Sequence, residues 1–486
     1  MGKLTITFQV EIDKSKIQDF STLIAMVFSL AMQIGRELGR RLLEALDHDI
    51  AATRDTRRYR HKGKRKTSIK TKLGVIEYER NIYLDMASEE PCCVYLLDEA
   101  MQMEKIGQVS ADMCKAIAGA ACASSFRAAA QTVEDMTGMS ISPQGAWNIF
   151  QQLGEQERER VERHEELAKQ GAGVGCIETE LLYEENDGVW LKLQGEDRKK
   201  FGSSKEMKVG IAYDGVQWDG GEDGKGRRIL DNKVAYASFE SAKEFLSKKE
   251  GLIASRFDVN TIKLRIVNGD GAAWIQNTGE GRIPVLDVFH RNKKLTECVR
   301  DMEFANLLKD HLYAGRIQEL LDCLEAQINS VEDEDEKKPL KELYRYYKEN
   351  REALTSYHDR GIPIPDTREP GEIHHARLGS MESNVFTLIG NRMKDRRACW
   401  SIHGADNMAL LLGLSHTTGF ECLFAAPEPL PEPEPEFVDT GAPLSASKVP
   451  LTVGSGTEFY NSVTLPNLKW LRGMTACQSP VDIIIR

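Results

Sequence analysis

Apolar and polar residues alternate one by one in "KLTITFQVEI", residues 3–12, and that period of two predicts a strand. From about residue 16 to 48 the period lengthens. Residues 34, 38, 42, 43 and 46 are apolar and share one face of a 3.6-residue turn, so a long helix is expected. "GVIEYERNIYLD", residues 74–85, returns to alternation and predicts a second strand. Residues 107–153 are Ala-rich and helical. Within them a helix, a turn at Gly138, a capping Ser142 and Pro143 at a helix start spell a helix-turn-helix. Residues 154–170, "EQERERVERHEELAKQG", are charged nearly throughout and predict an exposed connecting helix.

A strand-rich block follows. Strands are expected at 177–194, 205–216 and 232–239, a helix around 240–254, then strands at 262–268 and 283–289. A three-strand meander followed by alternating helix and strand is the order of an RNase-H-like sheet. From 291 to about 375 the pattern is charged and amphipathic, as in a helical insertion, and a further helix is expected around 380–394. "PEPLPEPEPEF", from 427, reads as a stiff extended linker, and the last fifty residues show little periodicity and are expected to be poorly ordered.

The expected fold is therefore α/β and multidomain: an RNase-H-like mixed sheet with a helical insertion, preceded by a mainly helical DNA-binding region. The segments are 1–85 (strand, helix and basic arm), 86–170 (helix-turn-helix region), 171–290 (first part of the catalytic core), 291–375 (insertion), 376–425 (second part of the core) and 426–486 (linker and tail). A length of 486 residues suits such a division.

Composition narrows the class. Hydrophobic residues make up 41% and charged ones 29%, as in a soluble globular protein. "FSTLIAMVFSLAM", residues 20–32, is shorter than the ~20 residues that span a bilayer and runs into Gln33, Arg36 and Glu37, so a buried or dimerising helix is expected and no membrane association. Ten cysteines without a C-x-x-C pair fit reduced thiols in the cytoplasm. The net charge of −11 opposes whole-chain attraction to polyanions, yet residues 54–72 hold ten Lys or Arg against one Asp. Clustered cations release counterions from DNA, so Arg57, Arg58, Arg60, Lys62, Lys64, Arg65 and Lys66 are read as a phosphate-contacting arm. Gln144, Trp147 and Asn148, on the second helix of the helix-turn-helix, are the candidate groove-facing residues.

Three acids sit in settings unlike ordinary surface charges. Asp187 stands beside glycine in an apolar strand, Asp270 ends a strand between two glycines, and Glu382 opens an apolar helix. In the expected sheet the first and fourth strands are neighbours, and a helix across the sheet can deliver the third acid. Converging carboxylates suit Mg²⁺ or Mn²⁺, two ions of which can activate an attacking oxygen and stabilise a leaving one at a phosphodiester. "LDVFHRNKK" adds Asp287 and His290 as D-x-x-H, with His290 expected to organise the site or touch phosphate. Arg392, Lys394, Arg396 and Trp400 follow Glu382 and are expected to hold DNA, the tryptophan by stacking on a base.

"YEENDGVWLKLQGE", "KEMKVGIAYDG", "VNGDGAAWI", "VLDVFHRNKK" and "GSMESNVFTLIGNRMKDRRACWSIHGADNMA" together resemble bacterial ISLre-type transposases, relatives of the Mutator-like DDE group. The resemblance spans roughly residues 50–415. It implies that Asp187, Asp270 and Glu382 form the DDE triad, that the related group's D-x-x-H falls on Asp287 and His290, and that an RNase-H-like core is interrupted before the glutamate. It implies cleavage at element ends by water and transfer of the freed 3′-hydroxyl to target DNA. Because two ends must be brought together, the helix at 16–48 is expected to support a homo-oligomer on DNA. The tail after about 425 matches nothing in that family, which leaves an alternative: a transposon-derived DNA-binding protein that no longer transposes.

Overall fold

A computed structural model describes residues 4–87, 91–219, 227–276, 281–362, 378–395 and 397–424. The described residues fall into two compact units, one made of residues up to 120 together with 126–146, the other of 121–125 and 147–424. The linker and tail expected at 426–486 lie outside the described residues, as do Arg396 and the end of the expected insertion.

In the first unit, helix α1 (Phe20–Thr53) is opened by Asp19, whose carboxylate accepts from Thr22 N at 2.7 Å while the Thr22 hydroxyl serves the Asp19 backbone. Residues 4–12 do not form the expected strand. Phe8 alone is buried and alone forms a bridge, with the Arg41 guanidinium 5.2 Å from its ring centroid, so the alternation yields one buried side chain and no extended strand.

The basic run is not a loop. Strand β1 (Tyr59–Thr71) pairs antiparallel with β2 (Gly74–Asp85) through a two-residue turn, with a bulge between His61 and Gly63. Ile69, Ile76, Tyr78 and Tyr83 of the hairpin share one core with Ile50 of α1 and Leu96 and Leu97 of α2 (Leu96–Ala100). Short strands β3 (Cys92–Val94), β4 (Lys105–Ile106) and β5 (Val109–Ser110) complete a sheet ordered β3-β2-β1-β5-β4.

Helices α3 (Ala111–Ala123) and α4 (Phe126–Thr137) follow, then Gly138 at φ +66°, then α5 (Pro143–Lys169). The Ser142 hydroxyl accepts from Gly145 N at 3.0 Å. The expected connecting helix at 154–170 is the continuation of α5. It is not exposed all round, because Leu153, Glu157, Val161 and Leu167 form a buried stripe at helical spacing.

The second unit is built on a mixed sheet ordered β10-β7-β6-β11-β12. Strand β6 (Leu181–Lys192) is followed by α6 (Gly195–Phe201), β7 (Ser204–Tyr213), a hairpin of β8 (Gly215–Asp219) and β9 (Arg227–Asp231), and β10 (Val234–Ser238). Helix α7 (Ala242–Ala254) leads to β11 (Leu264–Gly269), and α8 (Ala273–Gln276) precedes β12 (Arg282–Leu286). Strand β7 runs antiparallel to both of its neighbours, β6 and β10, whereas β6, β11 and β12 run parallel.

Helices α9 (Val288–Cys298), α10 (Met302–Tyr313), α11 (Ile317–Ser330), α12 (Glu334–Glu349) and α13 (Arg351–Leu354) enclose a core of their own around Leu308, Leu320, Leu324, Leu343 and Tyr347. The helix expected around 380–394 starts as α14 (Met381–Val385) and continues π-helical over Phe386–Lys394. Helix α15 (Ile402–Ser415) packs on β10. The fold is thus α/β, mixed and multidomain. No helix among the described residues is long and apolar enough to cross a membrane. The described cysteines are free.

Candidate active site

Strand β6 is central in its sheet, so residues 181–186 are buried on both faces and every polar group among them needs a partner. On one face Lys249 of α7 stands 2.7 Å from the Glu184 carboxylate and donates to Asn186 Oδ1 at 2.7 Å. Burial alone raises a carboxyl pKa. At Glu184 the charges of Lys249, Arg282 and Arg265 outweigh it and hold the group at about 2. The other face carries Glu185 and Asp187.

Register explains why acids far apart in sequence meet. Asn268 of β11 pairs with Glu185 of β6, and Gly269 pairs with Leu286 of β12. Two positions beyond the first pair are Asp270 and Asp187. One position beyond the second are Asp270 and Asp287. Three aspartates therefore follow one another across the carboxyl ends of parallel strands, where open α/β sheets bind their ligands. Asp187 is where β6 outruns its parallel neighbour.

The charges feel one another. Burial raises the Asp187 pKa, and the Asp270 and Asp287 carboxylates raise it further; the Gly188 N–H and His290 pull the other way. Asp287 caps α9, accepting from His290 N at 3.1 Å, with Nδ1 of the same ring at 3.0 Å. That bond to Asp287 raises the His290 pKa against burial, helped by Asp187 and Asp270. Asp287 in turn is held down by His290 despite being buried.

Asp187, Asp287, His290, Lys293 and Glu382 line one cavity of about 640 Å³, together with Asn186, Asn268 and Gly379. Asp270 is beside this cavity but does not line it. Its carboxylate turns to accept from Ala272 N at 2.9 Å, and its carbonyl accepts from the Tyr346 hydroxyl of α12 at 2.7 Å. Among the described residues no three His, Cys, Asp or Glu side chains converge as a metal cage. The carboxylates at and beside the cavity are oxygen donors of the kind that hard divalent cations take.

Sequence reasoning missed Glu185, which is fully buried and accepts four hydrogen bonds, and the tyrosines of α12. The only signal for Glu185 was its place in the polar run "EEND" of an apolar strand.

The expected DNA contacts fare unevenly. Arg60, Lys62, Lys64, Arg65 and Lys66 are exposed along β1, and Arg57 and Arg58 precede it, although Arg58 is paired with Asp85 at 2.8 Å. Gln144, Trp147 and Asn148 are exposed on the first turns of α5. Arg392 is buried and donates to the Ala121 carbonyl at 2.8 Å, so it is a structural cation and not a DNA contact. Trp400 is half-buried, with its indole N–H given to the Met393 carbonyl at 2.9 Å, its backbone bridged next to β6 and the Arg392 guanidinium 5.4 Å from its ring centroid. Lys394 is exposed; Arg396 is not among the described residues.

A larger cavity, about 1210 Å³, lies in the first unit between α1 and the β1–β2 hairpin. Lys64, Arg65 and Lys66 line it, but so do Glu44, Asp47, Glu77 and Glu79, so its field is mixed. At the smaller cavity Asp187, Asp287 and His290 perturb one another, and it is taken as the candidate site.

The pattern of an uncharacterised protein family (UPF0236) matches residues 15–420, and the chain belongs to that family. A UPF0236 protein of Caldanaerobacter subterraneus subsp. tengcongensis is 24% identical over 400 residues, 80% of this chain and 79% of the relative; its name joins eleven locus designations. A second from the same organism is 24% identical over 405 residues, covering 81% and 80%. The "UPF0236 protein in vanSb 3'region" of Streptococcus gallolyticus is 23% identical over 343 residues, 68% of each chain.

Proposed function

We propose that this member of the UPF0236 family is a DDE-type DNA transposase of the ISLre kind, cutting at the ends of its own element and joining them to target DNA. The observation that carries the reading is the meeting of Asp187, Asp287, His290 and Glu382 at one cavity, with Asp270 alongside. The strand order β10-β7-β6-β11-β12, antiparallel on one side of β6 and parallel on the other, supports an RNase-H-like core. The helices between β12 and Glu382 support the interrupted layout. A relative whose one name covers eleven loci is what a multicopy element would leave.

Asp187, Asp270 and Glu382 would hold two Mg²⁺ or Mn²⁺ ions, which when bound supply activation of the attacking oxygen and stabilisation of the leaving one. The chain's own groups do the rest. His290, kept protonated more readily by Asp287, and Lys293 offer positive charge to a phosphodiester entering the cavity. The exposed cations of β1 contribute sequence-independent backbone affinity, and the first turns of α5 meet base edges.

A transposon-derived DNA-binding protein without cleavage is the second reading, favoured by the lack of a converged acidic triplet among the described residues. Labelled duplexes carrying the DNA that flanks the gene, incubated with Mn²⁺, separate the two. The transposase reading expects strand cleavage that Asp270→Asn abolishes while binding stays within about twofold, since a charge contacting metal adds little to backbone affinity. Binding lost along with cleavage in a folded variant, or metal-independent retention without products, favours the second reading.

A further inference from the structure

Glu185 is fully buried, and no lysine, arginine or histidine pairs with it among the described residues. An isolated buried carboxylate persists only if donors surround it. Here Oε1 accepts from the Tyr213 hydroxyl at 2.8 Å and from Ser380 N at 3.2 Å. Oε2 accepts from Asn268 Nδ2 at 2.8 Å and from Gly379 N at 3.0 Å.

These donors come from three places: β7, β11 and the irregular segment just before α14. Gly379 has φ +111°, so that segment belongs to no ladder or helix that could satisfy its N–H groups. Glu185 is two residues before Asp187, Asn268 is two before Asp270, and Gly379 and Ser380 come two or three before Glu382.

We propose that Glu185 is a positioning residue: its carboxylate fastens the Glu382-bearing segment to the β6–β11 pair and so sets where Glu382 stands relative to Asp187 and Asp270. The proposal rests on the reading of those three acids as one site. A glutamine at 185 keeps the size but turns an NH₂ group toward two existing donors, so at least one tether is lost.

Hydrogen exchange on the full chain tests this without relying on catalysis. In the unaltered protein the Gly379 and Ser380 amides are expected to exchange at least about a hundredfold more slowly than in an unstructured chain, as hydrogen bonds to a buried charge require. In Glu185→Gln they are expected to speed up about tenfold, with the β1–β2 hairpin unchanged. Unprotected amides in the unaltered protein overturn the proposal, and that measurement needs no folded variant.

With Mn²⁺ and duplexes carrying the gene's flanking DNA, Glu185→Gln is expected to cut the cleavage rate constant by about a hundredfold, as a displaced catalytic acid does, while half-saturation by DNA stays put. Faster exchange with an unchanged rate constant also overturns the proposal. If the unaltered protein cleaves nothing, the transposase reading fails and the exchange measurements alone decide the tether.

Discussion

Asp187→Asn is expected to make the metal-free protein more stable, which is unusual for a partly buried polar site. Neighbouring strands lie about 5 Å apart, and Asp187 follows Asp270 across β6 and β11. Two unit charges at that distance repel by about 3 kcal/mol at an effective dielectric of 20. Burial is the largest cause of the raised Asp187 pKa, and the His290 charge, which favours the carboxylate, outweighs Asp270 or Asp287 taken alone. The relief therefore comes from desolvation first and from repulsion only in part. Asparagine retains the side-chain oxygen that accepts from Gly188 N at 2.7 Å, so little is lost against the relief.

The net gain is about 1–2 kcal/mol, or about 2–4 °C in Tm for a unit of this size. Thermal unfolding in EDTA at pH 7 measures it. Mn²⁺ should reverse the order, since a cation present at a hundred times its Kd adds about 2.7 kcal/mol to the form that binds it.

The sign with pH follows. Asp187 has a raised folded pKa, so the stability it withholds is restored as pH falls and the carboxyl takes up its proton. The gap between the two proteins in EDTA should therefore close toward acid pH. A variant less stable than the unaltered protein by more than about 1 kcal/mol in EDTA, or one stabilised equally by Mn²⁺, refutes the clustered-charge reasoning.

Three further outcomes are expected. Gly271→Ala forces a residue with a Cβ to φ +91°, with that atom 2.9 Å from Asn350 Oδ1 and 3.0 Å from Leu286 Cδ1; a loss of about 2–3 kcal/mol in urea unfolding is expected, and an unchanged midpoint counts against the strain. Arg392→Ala should cost about 2 kcal/mol by stranding the Ala121 carbonyl while leaving DNA affinity unaltered in an anisotropy titration; weakened binding with normal stability would return Arg392 to the DNA surface. Replacing Lys64 and Lys66 by Gln should lower the slope of log affinity against log salt by about 0.9 for each phosphate contact removed, so an identical slope shows that β1 does not touch DNA.

The alternation of β6, β7, β10 and β11 was legible because each strand buries at least one face, and the parallel pairing of β6 with β11 followed from the strand–helix–strand order. The basic strand was not legible as a strand. Its own residues are Lys, Arg and Thr, and the apolar side that orders it belongs largely to Ile76, Tyr78 and Tyr83 of its partner. Residues 4–12 fail the opposite way, with the alternation of a strand but only a bridge at Phe8 among the described residues.

Charge runs misled twice. The one at 154–170 conceals the stripe of Glu157, Val161 and Leu167, and the one at 392–397 includes an arginine whose partner, a backbone carbonyl 271 residues away, leaves no trace in composition. Asp187 and Asp270 drew notice because a carboxylate next to glycine in or after an apolar strand is a local signal, and Glu382 because it opens an apolar helix. Glu185 did not, because its role depends on four donors drawn from remote segments.

One consequence concerns the helical insertion. Consecutive residues on a helix point about 100° apart, and α12 uses two of them, Tyr346 and Tyr347, on different targets. The Tyr346 hydroxyl donates to the Asp270 carbonyl at 2.7 Å, and the Tyr347 hydroxyl donates to the Arg291 carbonyl at 3.0 Å. Burial pushes both phenols well above their usual range, so they remain donors at any physiological pH. Asn350, one turn on from Tyr346, closes against Gly271.

The same helix therefore grips the turn that carries Asp270 and the start of α9, one residue from His290. Both groups set the charge balance at Asp187. A helix anchored by its own core of Leu308, Leu320, Leu324 and Leu343 thus holds the backbone at or next to two residues whose charges act on the same carboxylate. The helices between β12 and α14 hold the turn that carries Asp270, and shortening them would be felt first there.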